Sequence, residues 1–437
     1  MLEGVVIGAG NRGADAYARL LLSEPGLARI VAVAEPVAAR RVAFAERYGV
    51  RADACFEDYR ELFSARKRCA DFALIATPDA LHTAPALEAL ETGHAVLLEK
   101  PMAQTEPECA QLVAAAERTG NLLQICHVLR YAPLYEAVKE IVDSGEIGRI
   151  VTIQHSENVS YWHYAHSYAR GNWRNKAASS PMILAKSCHD LDMLYWLAGA
   201  APARLTSLER ATELCAENTP AGAPEFCIDG CAHASACPYD AVAMYRDASP
   251  ILIDVQKRSQ AVPNDGSEIP RANGWQTWPV SVITDDPTPE GIDRALRTSR
   301  YGRCAYRVGD NDQPSSQQVG ILFRNGVNAS FTMHSTSHRE GRETRIDGTR
   351  GSIVAGFYNL ENTVFVHDHK SGRVRDAQLP DAAGTHGGAD PKLFRAFLAA
   401  VRGEAPPITS AAESMWSHRM AFAADRAARE GVVVVWN

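Results

Sequence analysis

Glu3-Gly4-Val5-Val6-Ile7-Gly8-Ala9-Gly10-Asn11-Arg12-Gly13 stands near the start of the chain, followed by a helix-forming run from Ala14 to Leu22 and then Ile30-Val31-Ala32-Val33-Ala34-Glu35. The stretch reads as a short apolar strand, a glycine turn, a helix and a second apolar strand closed by an acid. Gly8, Gly10 and Gly13 carry the GxGxxG spacing. Gly8 permits a tight turn, Gly10 lets the backbone approach a pyrophosphate, and Gly13 lets the helix pack close to the strand. The start of the helix offers N–H groups and a positive dipole end to phosphates. Asn11 and Arg12 lie inside the loop and join the cofactor-binding set. Glu35 lies 22 residues after Gly13, where a carboxylate binds ribose hydroxyls. A 2′-phosphate would meet that charge, which favours NAD over NADP, although Arg40 and Arg41 weaken the preference.

The pattern continues outward from this unit. Phe72 to Ala76 is apolar throughout, as a strand buried on both faces requires. It ends in Thr77-Pro78-Asp79, and His82 follows in the next helix. Ala95 to Glu99 is another such strand, closed by Lys100-Pro101, and Leu122 to Cys126 is a third, followed by His127. Helices alternate with these strands, which predicts a doubly wound parallel sheet over residues 1–127. Ligands on such sheets bind at the carboxyl ends of the strands, where Thr77, Pro78, Glu99, Lys100 and His127 fall. A lysine there can hold a substrate hydroxyl and stabilise its developing alkoxide.

Gly8 to Gly13, Ala76-Thr77-Pro78 with His82, and above all Glu99-Lys100-Pro101 resemble the Gfo/Idh/MocA family of nicotinamide-dependent sugar and cyclitol oxidoreductases. The resemblance covers nearly the whole chain apart from an insertion. It implies that Lys100 contacts both substrate and cofactor, and that Pro101 follows a cis bond. It implies that His189, on a helix read over 179–197, abstracts the hydroxyl proton as hydride leaves for NAD, a task suited to a histidine near neutral pKa. The family usually has an aspartate four residues before that histidine; here Ala185 stands there, with Lys186 beside it. Lys186 is assigned to substrate binding or to tuning His189. Trp173-Arg174 resembles the family's Trp-Arg pair beside the nicotinamide.

Residues 128–437 form the predicted second domain, an α+β unit with a large, mainly antiparallel open sheet. Asn325-Gly326 between two alternating runs is a strong hairpin signal. The stretch 155–192 is dense in chemistry, and with residues near strand ends it supplies the expected substrate set: His127, Arg130, Tyr131, Tyr161, His163, His166, Arg170, Trp173, Asp190 and, from a later loop, His386. Lys100, His163, His166, Arg170, Arg174 and Lys186 together predict a cationic pocket and an anionic sugar, a uronate or sulfonated sugar. Residues from about 211 to 300 show little periodicity and form the insertion. Clustered thiols there suggest a structural zinc, with Cys227, Cys231 and Cys237 as three ligands and Cys304, Cys215 or His233 as the fourth; free thiols are the competing reading.

At 437 residues the chain is long enough for two domains. A net charge of −7 without basic blocks excludes nucleic acid and a membrane surface as expected partners. With no signal peptide and no long apolar run, a cytoplasmic location is expected. The resemblance implies a homodimer or homotetramer. The expected activity is NAD-dependent hydride abstraction from a ring carbinol carbon of a sugar or glycoside. A redox-neutral NAD-dependent glycosidase, resembling sulfoquinovosidase-like members of the family, shares that first step, and a non-catalytic NAD-binding regulator is a third reading.

Overall fold

A computed structural model of the chain describes residues 1–65, 70–210, 213–247, 278–358, 362–380 and 385–436. They fall into two units. The first gathers residues 1–144, 184–202 and 385–423; the second holds 145–183, 203–384 and 424–437. Part of the insertion, residues 248–277, lies outside the described residues.

In the first unit, β1 (Leu2–Ile7), β2 (Ala28–Ala34), β3 (Cys55–Phe56), β4 (Phe72–Ile75), β5 (Ala95–Leu98) and β6 (Leu123–Ile125) form one parallel sheet in the order β3-β2-β1-β4-β5-β6. The unbroken apolar runs are explained by burial: Phe72, Ala73, Leu74 and Ile75 have no exposed surface, and neither do Val96, Leu97 and Leu98. Strand order reverses between β1 and β4, so a crevice opens at their carboxyl ends, directly under the glycine loop. The later segments of the unit are tied to this sheet. Thr409 exchanges hydrogen bonds with Ile125, the Ile125 N–H donating to the Thr409 carbonyl at 2.8 Å and the Thr409 hydroxyl donating to the Ile125 carbonyl at 2.7 Å. Phe394 and Phe397 of the Ala389–Val401 helix meet Phe72 edge-on. Each of these buried rings contributes about 2 kcal/mol through the apolar surface it removes from water.

The second unit is built on nine strands: β7 (Ile150–Ser160), β8 (Pro202–Arg210), β9 (Ser316–Phe323), β10 (Asn328–Ser337), β11 (Gly341–Gly348), β12 (Gly351–Phe357), β13 (Thr363–Asp368), β14 (Val374–Asp376) and β15 (Val434–Val435). Their order is β14-β13-β12-β11-β7-β10-β9-β8-β15, with β7 and β10 parallel and the sheet otherwise mainly antiparallel. Register lines up Val366, Ile353, Ile346, Ile153, Ala329 and Ile321 across six strands. All six are buried, while their sequence neighbours Val354, Arg345, Gln154 and Ser330 are exposed. This is the period-two alternation of a sheet with one covered face. The Asn325-Gly326 turn joins β9 to β10 as expected, with Gly326 at φ +88°.

The chemically dense stretch begins as sheet, His155 to Ser160 being the second half of β7. The helix expected over 179–197 is two helices, Met182–Ala185 and Cys188–Ala198, broken at Lys186 and Ser187. The described parts of the insertion carry short helices, among them Ala241–Tyr245 and Pro289–Thr298. The second of these is fixed by Thr288, whose hydroxyl accepts the Gly291 N–H.

Candidate functional site

The glycine loop is shaped for a phosphate. Gly8 adopts φ +91°, and a Cβ there would stand 2.6 Å from the Ala76 carbonyl oxygen. A Cβ at Gly13 would lie 2.2 Å from the Gly8 carbonyl oxygen, which is why only glycine lets the helix close on the turn. Around Gly10 the space is open, with nothing within 4 Å of a Cβ built on it. That gap is where a pyrophosphate would approach the backbone. Glu35 closes the far side at the end of β2. Its carboxylate is buried and accepts the Ala9 N–H at 2.8 Å and the Val37 N–H at 3.0 Å. The loop and this acid fit a dinucleotide. The loop's helix begins as a π-turn from Asn11 to Ala18, rather than as a regular α-helix.

Beyond β5, the Lys100–Pro101 bond is cis, as the resemblance implied. His82 fastens this turn to the end of β4. Its Nδ1 lies 2.7 Å from the Pro101 carbonyl and its Nε2 2.9 Å from the Thr77 carbonyl. Lys100 Nζ donates to the Ala185 carbonyl at 2.6 Å, at the break between the two short helices. A cation at the carboxyl end of a helix suits its dipole. Ala185 therefore contributes its backbone rather than a side chain, and Lys100 is held one helical turn before His189.

Arg12 and Glu99, expected to face the cofactor, face each other. Arg12 Nε donates to Glu99 Oε1 at 2.6 Å, and its Nη2 donates to Asp390 Oδ1 at 2.6 Å and to the Tyr17 hydroxyl at 2.6 Å. The Tyr17 hydroxyl donates to Glu99 at 2.8 Å. Burial alone would raise both carboxyls, but the Arg12 guanidinium outweighs it. Glu99 is held below the usual carboxylate range and Asp390, which also faces His386, well below it. This network joins the glycine loop, the turn after β5 and the start of the Ala389–Val401 helix. Tyr17 and Asp390 were not singled out by sequence reading; the only available sign was the fixed order His386-Gly-Gly-Ala-Asp390.

Four histidine rings stand in file beside it. His418 and His127 have centroids 5.6 Å apart, His127 and His189 5.8 Å, and His189 and His386 6.2 Å. His418 Nε2 accepts the Met102 N–H at 2.7 Å, and Ser417 Oγ lies 3.1 Å from His127 Nε2. Burial pushes His127 down to about 4 and His418 to about 3. Next to this file, Arg130 and Asp192 form a buried two-pronged pair at 2.7 Å. Tyr131 accepts from Gln124 at 3.1 Å. Arg130 and Tyr131 thus spend their polar atoms on the protein. Asp190 is fully buried on the His189 helix, and Lys186 is half-buried.

The second unit disposes of the other expected site residues in the same manner. His163 Nδ1 pairs with Glu340. His166 is buried, its Nδ1 2.7 Å from the Tyr245 hydroxyl and its ring stacked on Tyr301, and burial pushes it down to about 3. Arg170 has no exposed surface and donates to the carbonyls of Arg303 and Tyr239. Arg174 donates to both oxygens of Asp310, at 2.7 and 2.6 Å. Tyr161 lies edge-on to Tyr239, and Trp173 packs near Tyr168. The expected cationic cluster is corrected accordingly: His163 and Arg174 pair with carboxylates, burial keeps His166 neutral, and Arg170 is fully buried on backbone carbonyls.

The zinc expectation is corrected as well. Cys227, Cys231, Cys237, Cys304 and His233 do line one pocket. Yet among the described residues no three Cys, His, Asp or Glu side chains are grouped to hold a metal ion. His233 Nε2 is taken by the Ala221 carbonyl at 2.8 Å, and Cys227 faces the Arg303 carbonyl and Arg170. Cys215 belongs to no such group either. No helix among the described residues is long and apolar enough to cross a membrane.

With this geometry in place, comparison with known proteins is decisive at the level of family. Residues 2–127 match the model of an oxidoreductase family with an NAD-binding Rossmann fold. Residues 135–218 match a Gfo/Idh/MocA C-terminal domain, and residues 310–435 match that oxidoreductase family's C-terminal alpha/beta domain. The chain belongs to the Gfo/Idh/MocA oxidoreductase family. Among curated Gfo/Idh/MocA relatives, the inositol 2-dehydrogenase of Salmonella typhimurium is 29% identical over 197 residues, 45% of this chain and 54% of that protein. The 2,7-anhydro-N-acetylneuraminate hydratase of Mediterraneibacter gnavus is 27% identical over 209 residues, 46% of this chain and 50% of that protein. These matches span about half the length of each relative. Among solved structures, an oxidoreductase from Agrobacterium radiobacter in complex with NAD+, L-tartaric acid and magnesium aligns over 99% of this chain and 98% of its own. Its TM-score is 0.67 at 16% identity, which speaks for the fold alone.

Proposed function

We propose that this family member oxidises a ring carbinol carbon of a sugar, cyclitol or glycoside, with NAD as the electron acceptor. The observation that carries the proposal is Lys100, held at the mouth of the parallel sheet and bonded at 2.6 Å to the backbone one turn before His189. Bound NAD would supply the site that takes up hydride. Gly8, Gly10, Asn11 and Gly13 would seat its pyrophosphate and Glu35 its ribose, while Thr77 and Pro78 would flank it. Lys100 would then hold the substrate hydroxyl and steady the negative charge that develops on its oxygen. His189 would take the hydroxyl proton. Lys186 and Asp190 flank that histidine in sequence and would set the orientation of the substrate. Inositol 2-dehydrogenase among the relatives supports a ring alcohol as substrate class.

A carboxylate or sulfonate on the sugar is the narrower reading. It is supported by Lys100 and Lys186 on the unit that carries the glycine loop, and no longer by the side chains of 163–174. The redox-neutral glycosidase is a second reading, favoured by the similarity to 2,7-anhydro-N-acetylneuraminate hydratase. A homodimer or homotetramer is part of the proposal. Leu322 and Val354 stand exposed on the outer face of the nine-stranded sheet, and light scattering of the purified chain tests the assembly. The deciding experiment is a panel of neutral, uronate and sulfonated sugars and glycosides, with and without NAD, that follows NADH absorbance and aglycone release together. Stoichiometric NADH with the glycosidic bond intact is the expected result. Aglycone release that requires NAD but accumulates no NADH would establish the glycosidase cycle. Silence in both channels with NAD bound would sink both readings for this panel.

A further inference from the structure

Exposure rises along the histidine file. It is 0% and 1% at His418 and His127, 6% at His189, and 34% at the side chain of His386. We propose that His386, held by Asp390, is the relay through which the proton taken by His189 reaches water. The source of that proton rests on the oxidoreductase reading; the relay itself is a property of the rings.

The reaction leaves one proton to discharge. The substrate O–H bond breaks and its proton goes to His189. The C–H bond breaks with its electron pair leaving as hydride to NAD, so the carbon is oxidised by two electrons and the cofactor reduced. His189 is reset only when the proton leaves it. The inner path is closed, because burial keeps His127 and His418 neutral far below neutral pH. The outer path is open. His386 Nδ1 lies 3.0 Å from Asp390 Oδ2, and Arg12 keeps that carboxylate ionised. A carboxylate only accepts, so Nδ1 carries the hydrogen and Nε2, across the ring, is left as the basic atom. The His189 and His386 rings are tilted by 53° with centroids 6.2 Å apart. One water or a modest ring rotation spans such a gap. His386 also holds φ +50°, a left-handed backbone that a non-glycine residue seldom adopts. The chain thus holds a strained turn that presents this ring. The other ionisable groups around the pair are His127 and Lys100 towards His189, with Lys186 and Asp190 its near neighbours in sequence, and Asp390 and Arg12 towards His386.

The first test needs no substrate. NMR titration of the full chain labelled with 13C-histidine, as wild type, His386→Asn and Asp390→Asn, reads each ring. His386→Asn is expected to move the His189 midpoint by at least about half a pH unit, because coupled sites titrate together. Asp390→Asn is expected to release His386 from its single Nδ1–H tautomer, read from its 13C ring shifts. A His189 midpoint indifferent to the loss of His386 overturns the relay. The second test uses any ring alcohol that the wild type oxidises. His386→Ala should lower kcat about tenfold at unchanged KM, with activity restored by small imidazole buffers in proportion to their concentration. A loss that comes with a raised KM and no buffer rescue assigns His386 to binding or folding and overturns the relay. Should the wild type oxidise no ring alcohol, the functional reading falls while the NMR titration still judges the relay.

Discussion

Around His189 the polar side chains arrive from five separate stretches of sequence, at 100, 127, 186–192, 386–390 and 418. Between His155 and Arg174 they come from one continuous stretch. The second group looked like the richer pocket, yet its members turn to Glu340, Tyr245, Asp310 and backbone carbonyls. The first group looked sparse, and there the charges are ordered into a connected network from Arg12 to His386. Density of residue type along a sequence reports how much polar chemistry a segment must bury. Convergence from distant segments reports a site. Polar atoms close in sequence can satisfy one another locally or through the layer packed on them, whereas those fetched from far apart are aligned only by the fold.

The sharpest way to break that contrast is to remove its keystone. Arg12→Ala leaves Glu99 and Asp390 buried beside each other without their cation, which should cost about 3–5 kcal/mol of stability in urea unfolding. An effect under about 1 kcal/mol would show that the network is not what holds the unit. Next, Lys100→Met should lower kcat by about 10²–10³-fold, whereas Arg174→Met, which breaks one partly exposed pair, should change it by less than about fivefold. Equal losses would mean that the 163–174 stretch is part of the site after all.

Acid should also separate the two regions. The folded His127 and His418 take up protons only near 4 and 3, against about 6.5 in an unfolded chain. Between those values the unfolded state binds more protons, so the stability is complete above about pH 6.5 and declines as pH falls to about 4. The loss by pH 4 should be on the order of 3 kcal/mol for each of the two histidines. His418→Gln, which still offers an oxygen to the Met102 N–H, should flatten that slope in urea unfolding at stepped pH. A slope unchanged by it would place the acid sensitivity elsewhere, for instance at the buried His166 of the other unit. Glu35→Ala should weaken NADH binding by about tenfold and narrow its advantage over NADPH, read by fluorescence titration. The smallest effect is expected at the cysteine pocket. Chelator should leave the melting temperature unchanged, and metal analysis should find no stoichiometric zinc; one zinc per chain would reverse the correction made above.

Much of the parallel sheet was legible because its rules are local. Gly8, Gly13 and the all-apolar strands each follow from backbone sterics or two-sided burial within a few residues. The roles proposed for Lys100 and His189 come from the resemblance, with the place of Lys100 at a strand end as a second, local sign. What stayed hidden depends on contacts across hundreds of positions. Nothing near Arg12 announces Asp390, and nothing near Glu99 announces Tyr17. The Lys186–Ser187 break escaped because the apolar period runs through it, while Lys100 takes the Ala185 carbonyl at that point. Arg170 was misjudged for the opposite reason: a guanidinium suggests a ligand, yet here it staples the loops at Tyr239 and Arg303.

The bond between Arg12 and Asp390 spans 378 positions. During synthesis the glycine loop is made long before Asp390, one of the two carboxylates that neutralise its arginine. Until then Arg12 has Glu99 alone, and the loop lacks the contact that fixes it to the later helix. Cofactor capture is therefore timed by this distant segment, and a product cut short before Asp390 but bearing an intact GxGxxG sequence is expected to bind the dinucleotide poorly, because long-range contacts of this kind form late in folding.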